Sequence, residues 1–197
     1  QIAFYFLTGH KDAANKLTLF GKIAHHSNGQ DGNFYTDDGK VNLQSGNFAT
    51  NYLELGFLQS SYSQNLKAFK FIKSSFEIHP KSWMLEELQG QYSGLRWHNT
   101  FLAYKLPMKT NTLPNEKQIA NFSIKAETTI MLDNFNNWNY FDAKRLNASL
   151  IVYYHPKFLE DIGFFVQFYH GMDYYNIYFQ HQISSIRFGI KTETLRF

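Results

Sequence analysis

Along residues 118–133 the chain alternates between two chemistries. Ala120, Phe122, Ile124, Ala126, Thr128, Ile130 and Leu132 fall on one side, and Asn121, Ser123, Lys125 and Glu127 on the other. A period of two is the signature of a β-strand with unlike faces. The run is longer than an ordinary soluble strand and suits a tilted crossing of a bilayer. The next segments repeat it. Leu146, Ala148, Leu150, Val152 and Tyr154 oppose Arg145, Asn147, Ser149 and Tyr153, and Ile162, Phe164, Val166 and Phe168 oppose Gly163, Gln167 and Tyr169.

The same reading applied throughout predicts nine strands, near 1–8, 15–27, 47–60, 66–79, 92–106, 118–133, 145–155, 162–171 and 185–197. Connections alternate in length. Residues 61–65 and 156–161 are short, while 28–46, 80–91, 134–144 and 172–184 are long and polar; 107–117 is an exception. Short turns on one side and long loops on the other are the habit of outer-membrane barrels. The expected fold is therefore all-β, an antiparallel transmembrane β-barrel spanning 1–197 as one domain. An odd strand count conflicts with the even number of a single-chain bacterial barrel. It implies absent N-terminal strands, three in number, or else that 1–8 is not a strand and the barrel has eight. Strand 66–79 is ambiguous in phase, with Lys67, Lys70 and Lys73 on both faces, and the last strand needs a bulge near 191–194 to keep Leu195 and Phe197 in register.

Composition narrows this reading. With 13 Tyr, 20 Phe and 3 Trp beside 4 Pro, the chain favours sheet. No run approaches the roughly 18 apolar residues of a membrane-spanning helix. A mean hydropathy of −0.40 fits a barrel with a polar lumen as well as a soluble protein. The absence of cysteine excludes disulfides and thiolate metal sites. The net charge of +3 is scattered, so no nucleic-acid partner is expected. The chain does not begin with Met, which reads as processing or a fragment.

One strand end carries chemistry. Leu17, Leu19, Ile23, His25 and Ser27 share a face, opposite Lys16, Thr18, Lys22 and His26. The lysines need the lumen, so His25 and Ser27 turn toward lipid. On the following strand Ala49, Asn51, Leu53, Leu55 and Phe57 take the same outward face, and Thr50, Tyr52 and Glu54 the inward one. Polar groups on a lipid face are costly unless they have a function. Residues i and i+2 project from one side of a strand, so His25 is placed to take the Ser27 hydroxyl proton. Asn51, across the pair, is placed to accept the other imidazole N–H. That is the logic of nucleophile, base and orienting residue. The Gly29 amide, in the turn that follows, is the candidate oxyanion donor. The plainer alternative is a set of rim residues in the headgroup belt. His26 reads as structural, and His10, His79, His98, His155, His170 and His181 as isolated turn, lumen or rim residues.

The segment His25-His26-Ser27-Asn28-Gly29-Gln30, followed by Asn51-Tyr52, resembles the outer-membrane phospholipase A family. So do Gln167-Phe168-Tyr169-His170-Gly171 and Tyr178-Phe179-Gln180-His181-Gln182. The resemblance implies a twelve-stranded barrel in the bacterial outer membrane, of which this chain holds nine strands. It implies Ser27 as nucleophile, His25 as base, Asn51 as orienting residue, membrane phospholipids as substrate, calcium near the oxyanion site, and activity as a homodimer. The carbonyl of Gln30 and the hydroxyl of Ser45 match calcium-ligand positions. Two rivals stand beside it. A lipid A deacylase barrel also uses His-x-Ser but takes an acid as third member, for which Glu54 is the neighbour. A non-enzymatic porin or structural barrel would hold His25, Ser27 and Asn51 too far apart to hydrogen bond.

Overall fold

The computed structural model describes residues 1–8, 15–28, 32–45, 48–64, 68–109, 118–159, 162–173 and 179–192. They form one antiparallel sheet: β1 (Ile2–Thr8), β2 (Asn15–Asn28), β3 (Phe48–Ser63), β4 (Ala68–Ile78), β5 (Leu95–Lys109), β6 (Gln118–Met131), β7 (Leu146–Pro156), β8 (Ile162–Met172) and β9 (Gln182–Thr192). Each strand pairs only with its neighbours in sequence, and no ladder joins β9 to β1 among the described residues. The sheet is an open meander, consistent with part of a barrel wall. Among the described residues, no helix is long and apolar enough to cross a membrane.

The two faces are inverted relative to a soluble sheet. Thr50, Glu54, Ser75, Arg96, Ser123 and His155 are buried, while Leu19, Leu55, Phe76, Phe101, Leu150, Phe168 and Phe188 are exposed. Polar groups gather inside and a continuous apolar surface faces out, as in a barrel whose solvent is lipid.

Register follows from this division. Glu54 lies directly opposite Lys22, and its carboxylate forms ion pairs with Lys22 and with Lys73 at 2.7 Å, and accepts the Ser75 hydroxyl at 2.7 Å. The ambiguity of the fourth strand is thereby settled. Lys73 turns inward, whereas Lys70 pairs with Ser61 in the outward phase, next to the short turn where a long side chain can reach past the apolar band. Lys67 lies outside the described residues, as do 193–197; of the bulge expected near 191–194, Lys191 and Thr192 pair regularly with Gly163 and Ile162 and the rest lies outside the described residues.

A bulge does occur in β5. The ladder to β6 slips between Ala103 and Leu106, and Lys105 takes a φ of 55° with its N–H donating to Ser123 Oγ at 3.0 Å. The extra residue returns Leu106 to the apolar side opposite Phe122.

Segments 28–48, 78–95, 131–146 and 172–182 all leave the same end of the sheet. There Phe48, Leu88, Tyr92 and Phe179 pack into an apolar cluster, the Phe48 and Phe179 rings 5.7 Å apart and the Phe48 and Tyr92 rings 4.7 Å apart. Phe179 follows β8 and Phe48 opens β3, so the loops fold back over the inward face.

Glu54→Gln should leave two lysines facing the inner side without their carboxylate. A cost of about 3 kcal/mol is expected, read as a lower urea midpoint for the protein folded in detergent micelles.

Candidate functional site

His25 and Asn51 are direct register partners across β2 and β3. Their side chains meet on the outward face, His25 Nδ1 to Asn51 Oδ1 at 2.8 Å. The Asn51 amide has a second partner, its Nδ2 donating to the Trp83 carbonyl at 3.3 Å. With the amide nitrogen so engaged, Asn51 Oδ1 is the atom left to accept. The imidazole then carries its proton on Nδ1 and keeps a lone pair on Nε2. That is the tautomer a general base needs.

Ser27 lies two residues along on the same exposed face, opposite Ala49. The small partner leaves the hydroxyl uncovered. No hydrogen bond joins Ser27 to His25 among the described residues. The structure therefore brings His25 and Asn51 together and leaves Ser27 alongside without a bond to the ring. Catalytic hydrogen bonds often close only once substrate is bound. Gly29, Gln30 and the Ser45 side chain lie outside the described residues, and no cluster of metal-ligating side chains occurs among the described ones.

The residues between these face the other way. His26 turns inward with its ring 5.1 Å from Phe48, as a structural residue would. Thr50 and Glu54 are buried, and the ion pairs of Glu54 to Lys22 and Lys73 keep it from the outward imidazole.

Sequence reasoning missed what holds Asn51. β4 ends at Ile78, opposite Leu53, so the first residues of β3 extend past their neighbour. The segment after Pro80 covers that gap. Its 3-10 turns at Lys81–Trp83 and Glu86–Leu88 bring Met84 into a bridge with Thr50 and let the Leu85 N–H donate to the Ala49 carbonyl at 3.3 Å. Below this strap, His79 is buried between Thr50, whose hydroxyl meets Nδ1 at 3.0 Å, and Glu77, which meets Nε2 at 2.8 Å. The set has the order of an acid, a histidine and a hydroxyl. At 1% exposure Thr50 is out of reach of any substrate, so this set is a brace. Its only sequence signal was an acid two residues before a histidine at a strand end.

Burial holds the His79 imidazole below its usual range, with Arg96 adding to the effect and Glu77 opposing it. Burial also pushes the neighbouring Tyr92 phenol up to about 12. The backbone N–H of Val41 donates to Glu87 at 2.9 Å and draws its carboxyl below the usual range, tying the loop before β3 to the strap.

No family model matches the chain, and comparison with curated proteins and with solved structures finds no similar one.

His79 supplies a pH test of the strap. Between its ordinary value of 6.5 and its lower folded value, the unfolded chain binds the extra proton, so folded stability falls as pH drops. The urea midpoint should decrease from about pH 7 to about pH 5, and His79→Phe should flatten that slope.

Proposed function

We propose that this protein is an outer-membrane serine hydrolase that cleaves acyl esters of membrane phospholipids, with Ser27 as nucleophile, His25 as base and Asn51 as orienting residue. The observation that carries the proposal is the 2.8 Å contact between His25 and Asn51 on the outward, apolar face. The pair lies where an acyl ester in a bilayer would meet it.

The chemistry runs through this chain's own side chains. His25 Nε2 takes the proton as Ser27 Oγ attacks the ester carbonyl, and Asn51 holds the ring in the required tautomer. The alcohol leaves with that proton, and His25 then activates water against the acyl-serine. The acyl tail never leaves the apolar band, so no enclosed pocket is needed. Calcium at Gln30 and Ser45, and a homodimeric active form, belong to the proposal through the resemblance to outer-membrane phospholipase A alone. Loss of hydrolysis on chelation with EDTA is the corresponding test for the metal.

Two observations weigh against the rivals. A lipid A deacylase needs an acid beside the histidine, and Glu54 is committed to two lysines on the opposite face. A structural barrel is expected to hold all three residues apart; the His25–Asn51 contact is present, and the Ser27–His25 one is not found among the described residues.

Ser27→Ala and His25→Ala should each lower phospholipid hydrolysis by about 10⁴-fold or more, with heat-modifiable gel migration unchanged. Asn51→Ala removes one hydrogen bond of about 1.5 kcal/mol and should cost about tenfold. Hydrolysis by folded Ser27→Ala at the parent rate would end the assignment.

A further inference from the structure

A second histidine–serine pair lies on the outward face, far from the first. His170 on β8 and Ser184 on β9 are direct register partners, and His170 Nδ1 lies 2.8 Å from Ser184 Oγ. Both are exposed and share the face of Val166, Phe168, Ile186 and Phe188. Both sit within three residues of the strand ends on the long-loop side, the same level as His25 and Ser27. Six strand steps separate β2 from β8, roughly 29 Å along the sheet at about 4.8 Å per step. The pair is therefore a site of its own.

Its surroundings suit an amphiphile. Small residues Ala126 and Ala148 and larger Leu150, Phe168 and Ile186 enclose an apolar cleft of about 590 Å³ that has His170 and Ser184 on its wall. A further apolar cleft of about 620 Å³ continues toward the short-turn end, between Val152, Phe164, Val166 and Phe188. An acyl chain could lie along this trough with its ester at the polar pair. A seryl hydroxyl has one proton to donate, and His170 Nδ1 is an acceptor whenever the ring proton is on Nε2.

We propose that Ser184 and His170 form a second acyl-ester-reactive dyad, facing the membrane independently of Ser27. Ser184 Oγ bonds to the acyl carbon as the ester C–O bond breaks. The hydroxyl proton passes to His170 Nδ1 and then to the departing alcohol. Water adds to the acyl-serine, its proton passing through the imidazole to Ser184 Oγ, and a fatty acid is released. With no orienting residue on the ring among the described residues, this dyad should be slower than a full triad.

The experiment uses the full chain folded in phospholipid vesicles and a long-chain alkyl fluorophosphonate, with adducts located by peptide mass spectrometry. Each serine is read separately. In folded Ser27→Ala protein, an adduct is expected on the peptide holding Ser184, reduced at least tenfold by adding His170→Gln. No Ser184 adduct in that folded protein, or one that His170→Gln leaves unchanged, overturns the dyad. Absence of label on Ser27 in the parent chain would instead count against the first site and leave the Ser184 result standing. Strand circular dichroism and heat-modifiable migration establish folding of both variants.

Discussion

The carboxylate of Glu54, gripped by lysines from the strands on both sides, is the contact on which the geometry of the first site depends. Side chains in a strand alternate with a period of two, so a slip of one residue exchanges the faces completely. Such a slip in β3 would turn Glu54 to the outward apolar face, away from both lysines, and Asn51 inward. Separating a carboxylate from its ion-pair partners beside apolar side chains is costly, which disfavours the alternative register. The ion cluster never touches His25, yet it decides that Asn51 does. The same division of faces sets where His170 and Ser184 point, through the register of β8 with β9.

The strap after β4 adds the second requirement. A strand end that outruns its neighbour has unpaired backbone and a loose side chain. Here Met84 and Leu85 take up backbone groups of β3, and the Trp83 carbonyl takes the Asn51 amide nitrogen. The apolar ring cluster and the His79 brace hold the strap from beneath. The outward chemistry is thus supported by packing on the inner side, one residue away along the same strand.

Much of this was legible in the chain because a two-residue period is a local property. Nine strands lie near the expected spans, with β5 running Leu95–Lys109 rather than 92–106 and 193–197 outside the described residues, and the inward and outward rows match the exposures found at most positions, Ala120 being a buried exception. β3 runs on to Ser63, and β9 begins earlier than expected, at Gln182. The bulge at Lys105 was not legible, since a positive φ there depends on the partner strand and on Ser123. Nor was the strap, whose contacts join residues distant in sequence. His25 opposite Asn51 could be foreseen from phase and reach. Whether Ser27 engages the imidazole depends on side-chain rotation, which no pattern encodes. His170 looked isolated because its serine partner emerges only from the β8–β9 ladder.

The contact between Phe179 and Phe48 has a bearing on how the protein reaches its native state. It joins the segment between β8 and β9 to the beginning of β3, with five strands lying between them in sequence. Contacts between such distant parts of a chain carry a large closure entropy and become favourable only after shorter-range hairpins have formed. The ring cluster is therefore a late event in assembly.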